Sequence, residues 1–394
     1  MRLLIPSLLL LLVSCQKTPD SDISTSALPV STPEAEGFDA SALDSVIQRA
    51  DTGYYGSTDR ILVLKNGKVI ADRDFDLDYR EISQGKTDPV LGCGYQTCAD
   101  TSEVDAYNYF HPEVHPYYRG SDLHSLQSVT KSVTATIIGI AIDRGDFPNV
   151  QTKVLDYFPD YDLTDIDPVW EEVTLEDVLT MRLGLAWNEN TSPLDSNNNV
   201  VQLEDSPDWI QYTLNQPMDT VPGTRWVYNS GASQLLSGII RQATGQDIAE
   251  YGRTHLFEPL GITELHWKKT PTGLSDTEGG LYLRAEDLAR IGQLYLQEGT
   301  WEGNQILSQE WVKEATTRQV NDIYERGTKE GYGYQWWRAP YDEDVWLGLG
   351  FGNQFLVVLP DQDVVAVAYG WNVFSDGGQY LLPDFLQALL KGSQ

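Results

Sequence analysis

Apolar residues recur with a helical spacing in several segments of the chain. After Ser41, a residue type that favours helix starts, Leu43, Val46 and Ile47 are spaced to share one helical face and predict a helix over 41–50. Gly245 marks the end of another predicted helix, because glycine commonly follows a last helical turn. Besides 41–50 and the segment after Ser128, the predicted helices are 175–181, 206–214, 232–244, 281–295 and 308–316.

Two other regions have the pattern of strands. The apolar segments 61–64 and 69–71 flank Asn66-Gly67, a dipeptide that is a strong signal for a β-hairpin in this setting. The segments 354–359 and 364–369 flank a second polar turn, and their nearly continuous apolar character predicts strands that are buried on both faces.

Strands near both ends of the chain, with helices between them, predict the fold class. We expect an α/β (α+β) fold in which an antiparallel sheet flanked by helices is built from both termini and an all-helical domain is inserted in the middle. The sheet part is expected at about 34–124 and 275–394, and the helical part at about 125–274. Together they form one catalytic domain over 34–394.

The amino-acid composition limits the classes of molecule that the protein is expected to bind. The chain has 394 residues, 41% of them hydrophobic, which is typical of a folded globular protein. Its 58 acidic and 27 basic residues give a net charge of -31, which repels phosphate backbones. Nucleic acid is therefore excluded as an expected partner.

The start of the chain indicates export. A basic Met1-Arg2 precedes an apolar segment over 3–13 that is too short to span a membrane, and the segment ends at Cys15. This end resembles a bacterial lipobox, which implies a signal peptide over 1–15, a lipid anchor on Cys15 and a flexible tether over 16–33. Gln16 favours an outer-membrane lipoprotein facing the periplasm. An ordinary signal peptide with an incidental cysteine is the alternative.

The remaining cysteines, Cys93 and Cys98, are an even pair in an exported protein. They are most simply a local disulfide, and their spacing is not that of a zinc site. His111 and His115 lie four residues apart, but neighbouring prolines prevent a helix from presenting both. We therefore expect no metal and no cofactor.

The chemistry centres on Ser128 and Lys131, which share one face of a helix that continues into the apolar segment 133–142. The same Ser-x-x-Lys spacing occurs at 14–17 and 83–86, but no apolar helix follows there. Burial lowers the pKa of a lysine, so we expect an uncharged Lys131 that accepts the proton of Ser128. The alternative is a serine that caps the helix beside a lysine reaching into solvent.

These motifs, taken together, resemble the serine β-lactamase and penicillin-binding protein superfamily. Within it, the chain is most similar to class C-like esterases, amidases and 6-aminohexanoate-dimer hydrolases. The resemblance covers most of the chain after about residue 32 and is carried by 128–134, 174–185, 222–231, 279–288 and 352–355.

The resemblance implies a second catalytic motif at Tyr228-Asn229-Ser230. Tyr228, as a phenolate whose pKa is held down by Lys131, would deprotonate Ser128 and later activate water. Asn229 and Ser230 would orient these groups.

The third motif of the superfamily, Lys-Thr-Gly or His-x-Gly, is altered. The matching region, 346–352, contains no cation, and either Trp346 or Gly348 holds the first position. Gly348 and Gly350 suit a strand edge whose backbone N–H approaches an oxyanion. The missing cation argues against a substrate carboxylate and favours a neutral or cationic ester or amide.

The sequence therefore predicts a serine hydrolase that cleaves a small ester or amide through an acyl-enzyme on Ser128. Backbone N–H groups of Ser128 and of the segment near Gly350 would stabilise the oxyanion. A β-lactamase or D-alanyl-D-alanine carboxypeptidase is the alternative among enzymes. The alternative outside enzymes is a catalytically silent lipoprotein that binds cell-wall fragments.

Overall fold

A computed structural model of the chain describes residues 27–78, 81–82, 120–191, 197–372 and 378–393. The predicted signal peptide, the lipidation site Cys15, most of the tether, and the cysteine pair Cys93 and Cys98 lie outside the described residues. The histidine pair at 111 and 115 lies outside them as well. These predictions stay predictions.

The described residues form ten α-helices and thirteen strands. The helices are α1 (Ser41–Asp51), α2 (Val129–Asp143), α3 (Leu175–Leu179), α4 (Asn199–Glu204), α5 (Trp209–Leu214), α6 (Ser230–Thr244), α7 (Ile248–Gly252), α8 (Ala285–Leu296), α9 (Gln309–Thr316) and α10 (Leu382–Gly392). The strands are β1 (Thr58–Lys65), β2 (Lys68–Asp74), β3 (His124–Ser125), β4 (His266–Trp267), β5 (Leu281–Leu283), β6 (Thr300–Trp301), β7 (Asn304–Gln305), β8 (Val320–Asn321), β9 (Gly331–Tyr332), β10 (Trp337–Arg338), β11 (Trp346–Gly350), β12 (Gln354–Leu359) and β13 (Val364–Gly370).

The main sheet joins the two ends of the chain. Its eight strands have the order β2-β1-β13-β12-β11-β10-β9-β8, and all of its pairs are antiparallel. β1 pairs with β13 from Thr58 opposite Gly370 to Lys65 opposite Val364. The predicted hairpins are β1–β2 and β12–β13. The predicted fold class, an antiparallel sheet flanked by helices and built from both termini, is confirmed.

Helices cover both faces of this sheet. The apolar side chains of α1 and α10 form a core on one face, and those of α2 and α8 belong to a larger core on the other. Every residue of α2 from Val129 to Ala141 is buried. Each fully buried Val or Ile contributes about 1.5–3 kcal/mol, so α2 is anchored firmly against the sheet. No helix in the described part of the chain is long and apolar enough to cross a membrane.

Two predicted helices begin later than expected. The predicted helix 281–295 is α8 preceded by β5, because Leu281–Leu283 pairs with both β3 and β4 before the chain turns at Arg284. The predicted helix 206–214 begins only at Trp209, because the Asp208 carboxylate accepts hydrogen bonds from two N–H groups of the first helical turn.

Candidate active site

Ser128 lies on a sharp turn at the start of α2. The preceding residue, Gln127, has a φ of 47°, a left-handed conformation that is costly for a residue with a side chain. The Ser128 side chain makes no capping hydrogen bond to the helix. Its Oγ instead accepts a hydrogen bond from Lys131 Nζ at 2.9 Å, and Lys131 is only 1% exposed. The alternative of a capping serine beside a solvent-exposed lysine is therefore wrong.

The ammonium of Lys131 is surrounded by oxygen atoms. Besides Ser128, Nζ contacts the backbone oxygen of Glu278 at 2.6 Å and the Oε2 atom of the same residue at 3.3 Å. Burial acts to lower the pKa of Lys131. Tyr228 and the carboxylates of Glu278 and Glu189 act in the opposite direction and prevail, so the pKa lies above its ordinary value. The expectation of an uncharged Lys131 is wrong, because the sequence pattern does not show these carboxylates.

Tyr228 completes the group around the nucleophile. Its side chain is hydrogen-bonded to Ser128, and the ring centroid lies 5.2 Å from Lys131 Nζ. Burial raises the pKa of Tyr228 and outweighs the lowering effect of the Lys131 charge. The expected lowering of the pKa of Tyr228 is therefore wrong as well.

The other two residues of the second motif have different surroundings. Ser230 donates its Oγ to Glu189 Oε1 at 3.0 Å and its backbone N–H to Glu189 Oε2 at 2.8 Å. Trp187 Nε1 also donates to Oε2, at 2.6 Å. Asn229 caps α6 by accepting a hydrogen bond from Ala232, at 2.8 Å. Ser230 thus holds the Glu189 carboxylate at the site, and Asn229 stabilises the start of α6.

Strand β11 forms the opposite side of the site. An added Cβ on Gly350 would lie 2.4 Å from the backbone oxygen of Leu126, and one on Gly348 would lie 3.0 Å from Val129. These glycines therefore let the strand approach the turn that carries Ser128. Gly350 lines the cleft, whereas Trp346 packs with α2 in the core and does not. The structure thus does not bring Trp346, one of the two candidates for the first motif position, to the site.

Ser128 opens into a cleft of about 510 Å³. Glu189, Glu204 and Glu278 contribute carboxyl groups to it. None of the residues lining the cleft in the described part of the chain is a lysine, arginine or histidine. The aromatic residues that line it are Trp226, Tyr228, Tyr324, Trp337, Phe351 and Tyr380.

Sequence reasoning missed Glu189, Glu204 and Glu278. Glu189 lies just after the matched segment 174–185, and Glu278 directly precedes Gly279-Gly280 of another matched segment. Single acidic residues carry no periodic signal, and this chain has 58 of them. Only the three-dimensional arrangement distinguishes these three from the acidic surface.

Comparison with known proteins agrees with this architecture. A family model described as Beta-lactamase matches residues 43–375. The match covers most of the sequence and includes Ser128, Lys131 and Tyr228. The chain belongs to the beta-lactamase family, and the predicted superfamily is confirmed.

Individual relatives refine the comparison. The 6-aminohexanoate-dimer hydrolase of Paenarthrobacter ureafaciens is 28% identical over 272 residues, which are 64% of this chain and 68% of that enzyme. A structure from Bacillus anthracis, provisionally named a 6-aminohexanoate-dimer hydrolase, has a TM-score of 0.68 at 18% identity, over 93% of this chain and 86% of that one. A penicillin-binding protein homologue from Caulobacter crescentus has a TM-score of 0.61 at 16% identity, over 92% and 97% of the two chains. These structures show the shared fold, and the family and its relatives indicate hydrolase activity on amides or esters.

Proposed function

We propose that this protein is a serine hydrolase that cleaves a small neutral or cationic ester or amide through an acyl-enzyme on Ser128. The observation that carries the proposal is the 2.9 Å contact between Lys131 Nζ and Ser128 Oγ in a buried site that opens into the cleft. A hydroxyl activated by a buried amine and a tyrosine is an arrangement for nucleophilic catalysis.

The proposed reaction has two steps. In acylation, Ser128 Oγ attacks the substrate carbonyl carbon and its proton passes to the Lys131–Tyr228 pair, once that pair has released one proton to solvent. The pair then protonates the leaving group as the carbonyl–heteroatom bond breaks. In deacylation, water attacks the acyl-enzyme, and the same pair takes the water proton and returns one to Ser128.

Backbone N–H groups are proposed to stabilise the oxyanion that forms in both steps. The backbone N–H of Ser128 lies at the start of α2, at the positive end of the helix dipole, and is one proposed donor. Strand β11 provides a second donor near Gly350, where the glycine permits a close approach. Two donors on opposite sides of the carbonyl oxygen would favour the tetrahedral intermediate.

The charges of the cleft support the proposed substrate class. The lining contains three carboxyl groups, at Glu189, Glu204 and Glu278, and no basic residue among the described ones. A substrate carboxylate would meet the like charge of any of these carboxyl groups that is ionised, which is unfavourable in a partly desolvated cleft. This favours an ester or amide without a carboxylate over a β-lactam or a peptide terminus.

Active-site labelling tests the proposed nucleophile. A fluorophosphonate probe is expected to label the wild type and the Ser83→Ala variant, whose serine belongs to a Ser-x-x-Lys sequence without an apolar helix. Ser128→Ala is expected to lose labelling, with ester turnover lower by about 10⁴-fold. Equal labelling of Ser128→Ala would contradict the proposal, and no labelling of any variant would favour the silent binding protein.

Three substrates then test the charge argument. A short nitrophenyl ester and a linear amide dimer are compared with a chromogenic cephalosporin, which carries a carboxylate. The cephalosporin is expected to have the lowest kcat/KM. A preference for it would favour the alternative function of a β-lactamase.

A further inference from the structure

Glu278 is held in a tightly bonded turn that runs from Asp276 to Gly280. The Asp276 carboxylate accepts hydrogen bonds from the backbone N–H groups of Glu278 at 3.1 Å and Gly279 at 3.0 Å. Trp267 Nε1 donates to the backbone oxygen of Asp276 at 2.7 Å. An added Cβ on Gly280 would lie 2.6 Å from Asp276, so glycine is required there. The turn therefore fixes the backbone of Glu278, whose oxygen contacts Lys131 Nζ at 2.6 Å.

A second buried acid lies behind Glu278. Glu204, the last residue of α4, is 2% exposed and forms a side-chain hydrogen bond with Glu278. Burial raises the pKa of Glu204 well above its ordinary value, and the neighbouring Glu278 raises it further.

Lys131 thus stands between the nucleophile and a chain of two acids. On one side Nζ donates to Ser128 Oγ at 2.9 Å, and on the other it contacts the Glu278 carboxylate at 3.3 Å. The other titratable groups that face Lys131 are Tyr228 and Glu189. Of the two carboxylates, Glu278 is the one in direct contact with Nζ.

We propose that Glu278 is a positioning residue that keeps Lys131 charged in the resting site and thereby sets the pH above which Ser128 can be deprotonated. The inference deepens the proposed function and rests on it. Glu278 contacts Lys131 Nζ directly, so it acts on Ser128 through Lys131. The hydrogen bond between Glu204 and Glu278 helps to hold the Glu278 carboxyl group against Nζ.

The direction of the pH effect follows from this arrangement. Activity is expected to rise with pH as the Lys131–Tyr228 pair loses a proton. An opposite charge within about 4–6 Å shifts a pKa by about 1–3 units, so removing the Glu278 charge makes this proton easier to lose. The rising limb of the pH profile then moves to lower pH. A residue that only holds the fold together would lower the rate at every pH and leave the limb in place.

The experiment compares pH profiles of kcat/KM for a neutral nitrophenyl ester. Glu278→Gln is expected to move the rising limb down by about one pH unit or more. At pH values well below both limbs, kcat/KM as a fraction of each protein's own plateau is then about tenfold higher for the variant. Glu278→Asp retains the charge but withdraws it from Nζ, and an intermediate shift is expected. If the glutamine variant does not fold, the shift of the rising limb in the aspartate variant alone tests the proposal. The matched control is Glu172→Gln, which removes a carboxylate that is 77% exposed and pairs with Lys153.

Two outcomes separate this inference from the proposed function. Profiles of both variants that superpose on the wild type, while Ser128 remains the labelled nucleophile, would overturn the role of Glu278 alone. Labelling that survives in Ser128→Ala would overturn the proposed function. An NMR titration of ¹⁵N-lysine-labelled protein then still tests the inference, since the Lys131 Nζ resonance is expected to titrate at lower pH in Glu278→Gln, and an unchanged titration would overturn it.

Discussion

Two acid–base pairs in this molecule differ in charge state. In the cleft, Lys131 Nζ lies 3.3 Å from Glu278 Oε2, and the lysine is charged. Beside a cavity of about 330 Å³ at β1 and β13, His124 Nε2 lies 3.8 Å from Asp59 Oδ2. Burial lowers the pKa of His124 to about 4 and raises that of Asp59 to about 7. Between these values both groups are neutral.

The number of polar partners explains the difference. Lys131 donates to Ser128 and to two oxygen atoms of Glu278, with a second carboxylate nearby. His124 bonds through Nδ1 to the Ser125 carbonyl at 3.0 Å, whereas its Nε2 has no hydrogen-bond partner among the described residues. Aromatic rings lie against the imidazole at centroid distances of 4.6 and 3.9 Å. Burial makes a charge unfavourable, and close oxygen atoms decide whether the charge persists.

The largest effect is expected for Lys131→Met. It removes the base and leaves the carboxylates of Glu278 and Glu189 without a counter-ion, and removing one partner of a buried pair costs about 3–5 kcal/mol. We expect turnover to fall by about 10⁴-fold and the free energy of unfolding to fall by roughly 3 kcal/mol. Ester kinetics and urea unfolding measure the two effects. An unchanged unfolding midpoint would show that the carboxylates do not need the lysine charge.

The sequence predicted the parts of this site that lie on regular elements. The helix that begins after Ser128 has no charged residue and mostly apolar ones over 133–142, so its burial was predicted from this pattern, and the shared face of Ser128 and Lys131 from their spacing. The two hairpins followed in the same way from Asn66-Gly67 and from nearly continuous apolar segments. Local patterns determine such elements, so the antiparallel sheet could be predicted from the sequence.

The charge state of the site did not follow from local patterns. Glu278 is 147 positions from Lys131 in the sequence, and Glu189 reaches Ser230 over 41 positions. No spacing rule relates residues so far apart, and burial alone predicted the wrong sign for the pKa of Lys131. The prediction that Trp346 could hold the first position of the third motif was wrong for a related reason. Which residues of a strand face the cleft depends on the pairing of β11 with its neighbours.

Asp59→Asn tests the His124–Asp59 pair through the pH dependence of the free energy of unfolding. The pKa of Asp59 in the folded protein, about 7, lies above the ordinary value near 4. Below about pH 4 both states bind the proton, so the carboxyl has no effect on stability. Between about pH 4 and 7 the unfolded chain loses its proton first, and stability falls. The variant is therefore expected to be more stable than the wild type by roughly 2 kcal/mol at pH 8 and equal to it at pH 4, as measured by urea unfolding. An equal difference at both pH values would contradict this account.

The smallest effect is expected for His124→Phe. Phenylalanine retains a ring against Tyr369 and Trp371 and removes the Nε2 atom that has no partner among the described residues. It also removes the hydrogen bond to Ser125, and a net hydrogen bond contributes about 1 kcal/mol. The two changes oppose each other, so the free energy of unfolding at pH 7 is expected to change by less than about 1 kcal/mol. A loss near that of Lys131→Met would mean that His124 is charged and paired with Asp59, and the contrast between the two groups would disappear.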